Sequence, residues 1–353
     1  MFSIKVTKSK KLKPKPRPSE LKFGELFTDH LFILDYNPEK EWHHPRIEPY
    51  KALSLDPACC VFHYGQSIFE GIKAYRTKQG IHIFRPQKYL ERFNNSAERM
   101  CIPPLDSKLI LECLKKLLRL EKNWIPTQHG TALYVRPLII STGNFLGVRI
   151  SQTYRLMIML SPVGAYYAEG FQPVKIFVSE EHVRAVRGGV GFAKTCGNYA
   201  ASLYPGEKAR LRGFTQVLYL DAIERKYIEE VGTMNIFFVI EDTLITPPLT
   251  GSILPGITRD SILSMVKDLG IKTEERMISI DEVIEASRNN RLKEVFGSGT
   301  AAVVSPVSDL SYRNQTIRVN QGRVGPIAQR LFDEITAIQY RTKPDPYGWI
   351  EEV

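Results

Sequence analysis

Long apolar runs are missing from this sequence. Nothing reaches the ~18 consecutive apolar residues a membrane-spanning helix needs, so no such span is expected. Cysteine is scarce: the five (Cys59, Cys60, Cys101, Cys113 and Cys196) are odd in number and show no C-x-x-C spacing. That argues against a disulfide framework and against a metal cage, so no metal is expected and a reducing compartment fits best. The chain carries neither G-x-G-x-x-G nor G-x-x-x-x-G-K-[ST], which removes dinucleotide and P-loop readings. No internal repeat is visible. Acid is absent from residues 1–18, which hold Lys5, Lys8, Lys10, Lys11, Lys13, Lys15 and Arg17.

That last absence explains most of the formal charge of +10, since removing those seven cations leaves +3 for the remainder. The K-x-K-P-K-P-R-P run alternates charge with proline and is expected to form an extended, solvated arm over 1–22. A nucleic-acid role for it is conceivable on charge alone, but most basic tails are simply exposed. A mitochondrial presequence fits less well, because such segments are Arg-rich amphipathic helices and this one is Lys-rich and broken by Pro14, Pro16 and Pro18. The cytoplasm of a bacterium is the expected location.

What is present is ample core material, 43% apolar in 353 residues, enough for two ordinary domains. A strand over 81–85 ends at Pro86 and leads into a helix with Tyr89, Leu90, Phe93, Ala97 and Met100 at helical spacing. Asp106 reads as the N-cap of a second helix with Leu109, Ile110, Cys113, Leu114 and Leu117 on one face. Apolar strands follow at 132–142 and 155–164, closing an α+β first domain over 23–163. The aromatic, glycine-bounded stretch 164–173 reads as the interdomain loop, with a second domain over 174–353. That domain has short strands at 174–179, 216–220, 235–240 and 243–247, a helix at 258–269 closed by Gly270, and another at 325–340.

The segment RGGVGFAKTCGNYAAS (187–202) sets Lys194 among Gly188, Gly189, Gly191, Ala193 and Gly197. A lysine that forms a Schiff base needs a planar ring close to its backbone, which favours small neighbours, and its amine can return as a general base. On composition alone, an exposed lysine on a flexible loop is an even alternative. In YIEEVGTMNIFFVI (227–240), Glu230 ends a strand and is placed to hold the ring nitrogen of an electron-sink cofactor protonated. A solvated turn is the plain alternative. GSILPGITRDSIL (251–263) opens a helix whose first amides, Ile257 and Thr258, suit an anion, though it also reads as an ordinary helix start. FGSGTAAVVSP (296–306) adds a glycine turn with the Thr300 hydroxyl, and Arg92 is a candidate guanidinium for a phosphate or else a solvent-facing side chain.

Taken together, these segments resemble the branched-chain amino-acid aminotransferases, within the fold type IV class of pyridoxal-phosphate enzymes. The resemblance runs through FGELFTDHLF (23–32), HYGQSIFEGIKAY (63–75), YVRPLIIST (134–142), RAVRGGVGFAKTCGNYAASL (184–203), EEVGTMNIF (229–237), GSILPGITRDS (251–261) and FGSGTAAVVSPV (296–307), nearly everything except the arm. It implies a small N-terminal α/β domain and a larger C-terminal domain with a β-barrel-like core. It also implies pyridoxal 5′-phosphate as cofactor and transfer of the amino group of L-leucine, L-isoleucine and L-valine to 2-oxoglutarate, giving L-glutamate by ping-pong kinetics. Lys194 would be the Schiff-base lysine, Glu230 the partner of the pyridine nitrogen, and Tyr199 the partner of the ring oxygen. Arg92, Ile257, Thr258 and Thr300 would hold the phosphate, and Thr233 and Ala301 the substrate carboxylate. Phe23, Tyr64, Phe69 and Tyr134 would wall the side-chain pocket. Arg136, on the same strand face as Tyr134, would meet the side-chain carboxylate of glutamate, which cannot be buried unpaired without a cost of several kcal/mol. A structural arginine is the alternative there.

The resemblance further implies a homodimer with a shared site, to which Tyr64 would contribute across the interface. Within the same fold, a D-amino-acid aminotransferase or aminodeoxychorismate lyase is the alternative. Two departures stand out. Relatives in animals carry a redox C-x-x-C pair where this chain has Ala302 and Ser305, which rules out thiol control there. Pro205-Gly206 interrupts a stretch that is usually helical and is expected to shorten or kink that helix.

Overall fold

The computed structural model describes residues 3–164 and 171–353, and the middle of the expected interdomain loop lies outside the described residues. The contacts divide the chain into two compact units. One comprises 1–166 together with 193–196 and 338–353, and the other 167–192 with 197–337. Two short pieces of the C-terminal half therefore pack with the first unit. One of them is the stretch that bears Lys194.

The first unit is built on a nine-stranded sheet that is antiparallel apart from its first pair. Its longest ladder joins Ala132–Ser141 to Tyr154–Val163, both almost entirely buried. The helices Pro86–Arg99 and Ser107–Leu120 pack on each other, Pro86 starting the first at the position where its missing N–H is harmless. Asp106 caps the second by accepting from the Lys108 and Leu109 amides. The strand Ile350–Glu352 returns to pair with Gly80–Phe84.

The basic arm is mostly exposed, as its charge suggests, but it is not free of the fold. It is extended but laid along this unit: Lys5–Val6 pairs in parallel with Glu41–Pro49, and the Ser9 amide donates to His30 Nε2. The Lys13 amide donates to Asp29 Oδ1 at 2.8 Å. Lys15 pairs with Asp29 Oδ2 at 2.8 Å and lies 4.0 Å over the Trp124 ring. Asp29 is 5% exposed, and this buried anion anchors the arm through the Lys13 amide and the partly exposed Lys15 ammonium.

The second unit holds another nine-stranded sheet, the barrel-like core, in which Val174–Ser179 lies between Gln216–Leu220 and Val303–Tyr312 and pairs in parallel with both. Asn235–Ile240 and Leu292–Gly299 form a long antiparallel ladder of buried residues. The helix Ile257–Asp268 ends at Gly270, whose φ of +67° suits glycine. Helix Cys196–Leu211 runs through Pro205 without being shortened. A proline removes a single N–H bond, and here the buried Pro205 is followed by a further turn whose Ala209 packs on Val217 and Tyr219. Among the described residues no helix is long and apolar enough to cross a membrane.

Candidate active site

On the first unit, Lys194 is fixed by its own main chain. Its amide donates to the Ser96 hydroxyl at 2.9 Å, and its carbonyl accepts from the Phe69 amide at 3.0 Å. Thr195 adds a bond to the Ser67 carbonyl at 2.8 Å. The lysine is thus pinned between the start of the FEGIKAY segment and the helix Pro86–Arg99. Its Nζ lies 4.8 Å from the centre of the Phe69 ring. Burial, followed by the charge of Arg92, lowers the amine from 10.5 to about 8, with Glu70 acting in the opposite sense. The exposed-loop alternative is excluded.

Arg92 does not face solvent; it is 6% exposed, and its Nε and Nη2 donate to Glu70 at 2.6 and 2.9 Å. Glu70 is completely buried and also accepts from the Gly71 amide. The guanidinium is therefore held by one edge through a bidentate pair. Glu70 lies within the EGIKAY motif, but only the fold gives it a partner 22 residues away.

The apolar wall forms on the same unit. Tyr134 meets Phe23 edge-on with ring centres 4.8 Å apart. Arg136 Nη2 donates to the Tyr134 hydroxyl at 3.1 Å, and its guanidinium lies 4.6 Å from the Phe69 ring centre. Period-two geometry thus does place Tyr134 and Arg136 on one face. Gly71 makes room for this wall: a Cβ there would come 1.9 Å from the Tyr134 hydroxyl. Tyr64 stands apart, 40% exposed, its hydroxyl donating to the Leu146 carbonyl.

The second unit gathers the other expected residues. Glu230 lies on the buried strand Ile228–Val231 and is 3% exposed, so the solvated-turn alternative fails. Oε1 accepts from the Leu254 amide at 2.8 Å and stands 2.7 Å from Arg184 Nε; Oε2 accepts from Asn235 Nδ2 at 3.2 Å. Arg184 also donates through Nη2 to the carbonyls of Gly191 and Ser252. Asn235 bonds the Leu254 carbonyl as well. Arg184 and Asn235 lie inside the segments that carry the resemblance, but residue type alone reveals no role for either.

The chain after Leu254 turns at Gly256, the N-cap of the helix Ile257–Asp268, leaving Ile257 and Thr258 in the first turn. A Cβ at Gly256 would lie 1.9 Å from Asn235 Oδ1, so any larger residue there must push the Asn235 side chain aside. The pairing of Asn235 with Ser298 brings the Gly232–Thr233 turn beside the Gly299–Thr300–Ala301 turn, where a Gly299 Cβ would sit 3.3 Å from the Thr233 carbonyl. Tyr199 lies on the helix Cys196–Leu211 and is partly buried.

The first unit thus supplies a buried amine in a small-residue bed, and the second a triply held carboxylate and, near it, a helix N-terminus. The chain belongs to the amino-transferase class IV family, whose profile matches residues 67–310. Over 352 residues it is 53% identical to the branched-chain-amino-acid aminotransferase 2 of Bacillus subtilis (strain 168), covering 99% of this chain and 97% of that protein. Over 348 residues it is 50% identical to a probable branched-chain-amino-acid aminotransferase of Staphylococcus aureus (strain N315), covering 98% and 97%. Among solved structures, the Escherichia coli branched-chain amino acid aminotransferase superposes with a TM-score of 0.76 at 29% identity, over 92% of this chain and 99% of that one. The T.th. branched-chain amino acid aminotransferase complexed with N-(5′-phosphopyridoxyl)-L-glutamate gives 0.75 at 27%, over 91% and 98%.

Proposed function

We propose that this protein transfers the amino group of L-leucine, L-isoleucine and L-valine to 2-oxoglutarate, with Lys194 as the Schiff-base residue. The carrying observation is the environment of that lysine: two main-chain anchors, an aromatic ring beneath the amine, and a basicity drawn down to about 8. An amine of that basicity is unprotonated often enough near neutrality to attack a carbonyl and to take up a proton from substrate Cα. When bound, pyridoxal phosphate supplies the electron sink.

The remaining roles follow from what each side chain offers. Glu230, fixed by an arginine, an asparagine and an amide, is proposed to pair with the ring nitrogen, and Tyr199 with the ring oxygen. Arg92, aimed by Glu70, and the first amides of the helix at Ile257 and Thr258 would hold the phosphate together with Thr300. Thr233 and Ala301, in adjacent turns, would take the substrate carboxylate. Phe23, Phe69 and Tyr134 offer an apolar face to a branched side chain, while Arg136 at its edge offers a cation to the second carboxylate of glutamate. One pocket then serves both half-reactions.

We also propose a homodimer. Phe62, Tyr64, Leu146, Val148 and Ile150 form an exposed apolar set on the first unit, suited to a second copy to which Tyr64 would contribute. A cytoplasmic site suits the free thiols.

The test is visible absorption and turnover together. Wild type should show a yellow band that Lys194→Ala lacks, and should consume L-leucine with 2-oxoglutarate. A yellow protein that turns over D-alanine or aminodeoxychorismate instead would overturn the substrate assignment. A band that survives Lys194→Ala would overturn the lysine. Light scattering of the holoenzyme should give twice the chain mass; a monomer would remove the shared-site proposal.

A further inference from the structure

The second unit contains a cavity of about 370 Å³ for which the transamination reading has no use. It lies against the strand Ile228–Val231, whose Ile228 and Glu229 line it while Glu230 does not. Glu229 is 6% exposed. Its Oε1 accepts from the Ser252 hydroxyl, but its Oε2 is buried without a hydrogen-bond partner among the described residues. Leaving a buried carboxyl oxygen without a donor is unfavourable, so a donor brought by a ligand would be stabilising there.

The other groups around the cavity narrow the ligand. Asp221 is already occupied, its two oxygens accepting from the amides of Ile223, Glu224, Lys226 and Tyr227. Burial pushes the Glu229 carboxyl up from its ordinary value, with the Ser252 hydroxyl, Arg184 and the exposed Arg187 on the lining acting in the opposite sense, so a cationic donor at Oε2 would offset that burial. Pro247, Ile253 and Met277 supply apolar wall. With Asp221 satisfied and Glu224 exposed at the rim, one buried acid, one exposed guanidinium and an aliphatic lining in a volume of this size match a small zwitterion with an apolar side chain.

We propose that this cavity is a second binding site for apolar α-amino acids. The ammonium group meets Glu229, the carboxylate meets Arg187, and the side chain packs on Pro247, Ile253 and Met277. The site is wired to Glu230. Ser252, the partner of Glu229, accepts Arg184 at its carbonyl; Arg184 pairs with Glu230, and two residues on, the Leu254 amide donates to Glu230. These bonds already hold Glu230 and the segment leading into the helix Ile257–Asp268, so a ligand that only adds a donor to Glu229 leaves the cofactor's surroundings unchanged.

Cycloleucine tests this, because it is an apolar zwitterion that lacks a Cα hydrogen and is not turned over. Equilibrium dialysis of the holoenzyme gives total occupancy, and the visible cofactor band reports occupancy of the catalytic pocket alone. Wild type should bind two molecules per chain, one of them without spectral effect. Arg187→Ala, and Met277→Trp as a steric block, should each weaken the silent molecule by about tenfold or more while leucine turnover stays within about twofold. A single molecule per chain, or a silent one unaffected by both substitutions, overturns the proposal. Loss of leucine turnover in wild type would count against the transamination reading and leave the silent site to be judged by dialysis.

Discussion

Lys194 and Glu70 show what one buried side chain costs and gives. In the cofactor-free protein at pH 7 the lysine is still mostly charged, because its amine titrates at about 8 rather than 10.5. Burying that charge opposes folding by about 1–3 kcal/mol, allowing for partial exposure. The cost is complete below pH 8 and fades as pH rises towards 10.5, where the unfolded chain also loses its proton. Lys194→Met should therefore stabilise the cofactor-free protein against urea at pH 7, with an advantage that shrinks between pH 8 and 10.5. Glu70 works in the other direction. Glu70→Ala leaves the Arg92 guanidinium buried without its bidentate partner and should destabilise by about 3–5 kcal/mol in the same measurement, with Glu70→Gln falling between it and wild type.

At the scale of elements, the periodic ones are readable. The helices Pro86–Arg99, Ser107–Leu120 and Ile257–Asp268 declare themselves by spacing, a starting proline, a capping aspartate and a closing glycine. The strands His30–Asn37 and Glu41–Pro49 do not, the first because it is buried without alternation, the second because HHPRIE carries little apolar signal and is stabilised by its ladder. Helix Cys196–Leu211 teaches a converse lesson: a local breaker rule yields when flanking turns are packed. Pro205→Ala restores an N–H to that helix and should raise stability by about 1–2 kcal/mol on thermal unfolding. Gly256→Ala presses on Asn235, which loosens its bonds to Glu230 and to the Leu254 carbonyl; cofactor retention, followed by absorbance during dialysis, should weaken about tenfold.

For the whole molecule, the arm is exposed as its charge suggests, yet tied to the first unit by specific contacts. Deleting residues 1–18 should leave leucine turnover within about twofold but lower the melting temperature by several degrees, since ladder bonds, a cation–π contact and an ion pair to the buried Asp29 are lost with it. The effect should depend on pH in a defined direction. Burial alone would raise the Asp29 carboxyl, yet bonds from the Lys13 amide, Lys15 and Trp124 outweigh it and hold it below the ordinary 3.8. The stabilisation is present above that value and disappears as pH falls through the lower folded one, so the difference between full-length and shortened protein should narrow in acid.

The sequence by itself determined the chemistry-bearing segments, their order and the helices, because motif residues and period-3.6 patterns are local properties of a chain. Only the tertiary structure decided that Arg92 is held by Glu70, that Glu230 is gripped by Arg184, Asn235 and Leu254, that the lysine segment packs with the first unit, and that the arm is docked. Most of these are pairings of charges and polar groups well separated along the chain. What selects such a partner is burial, and burial exists only once the chain has folded.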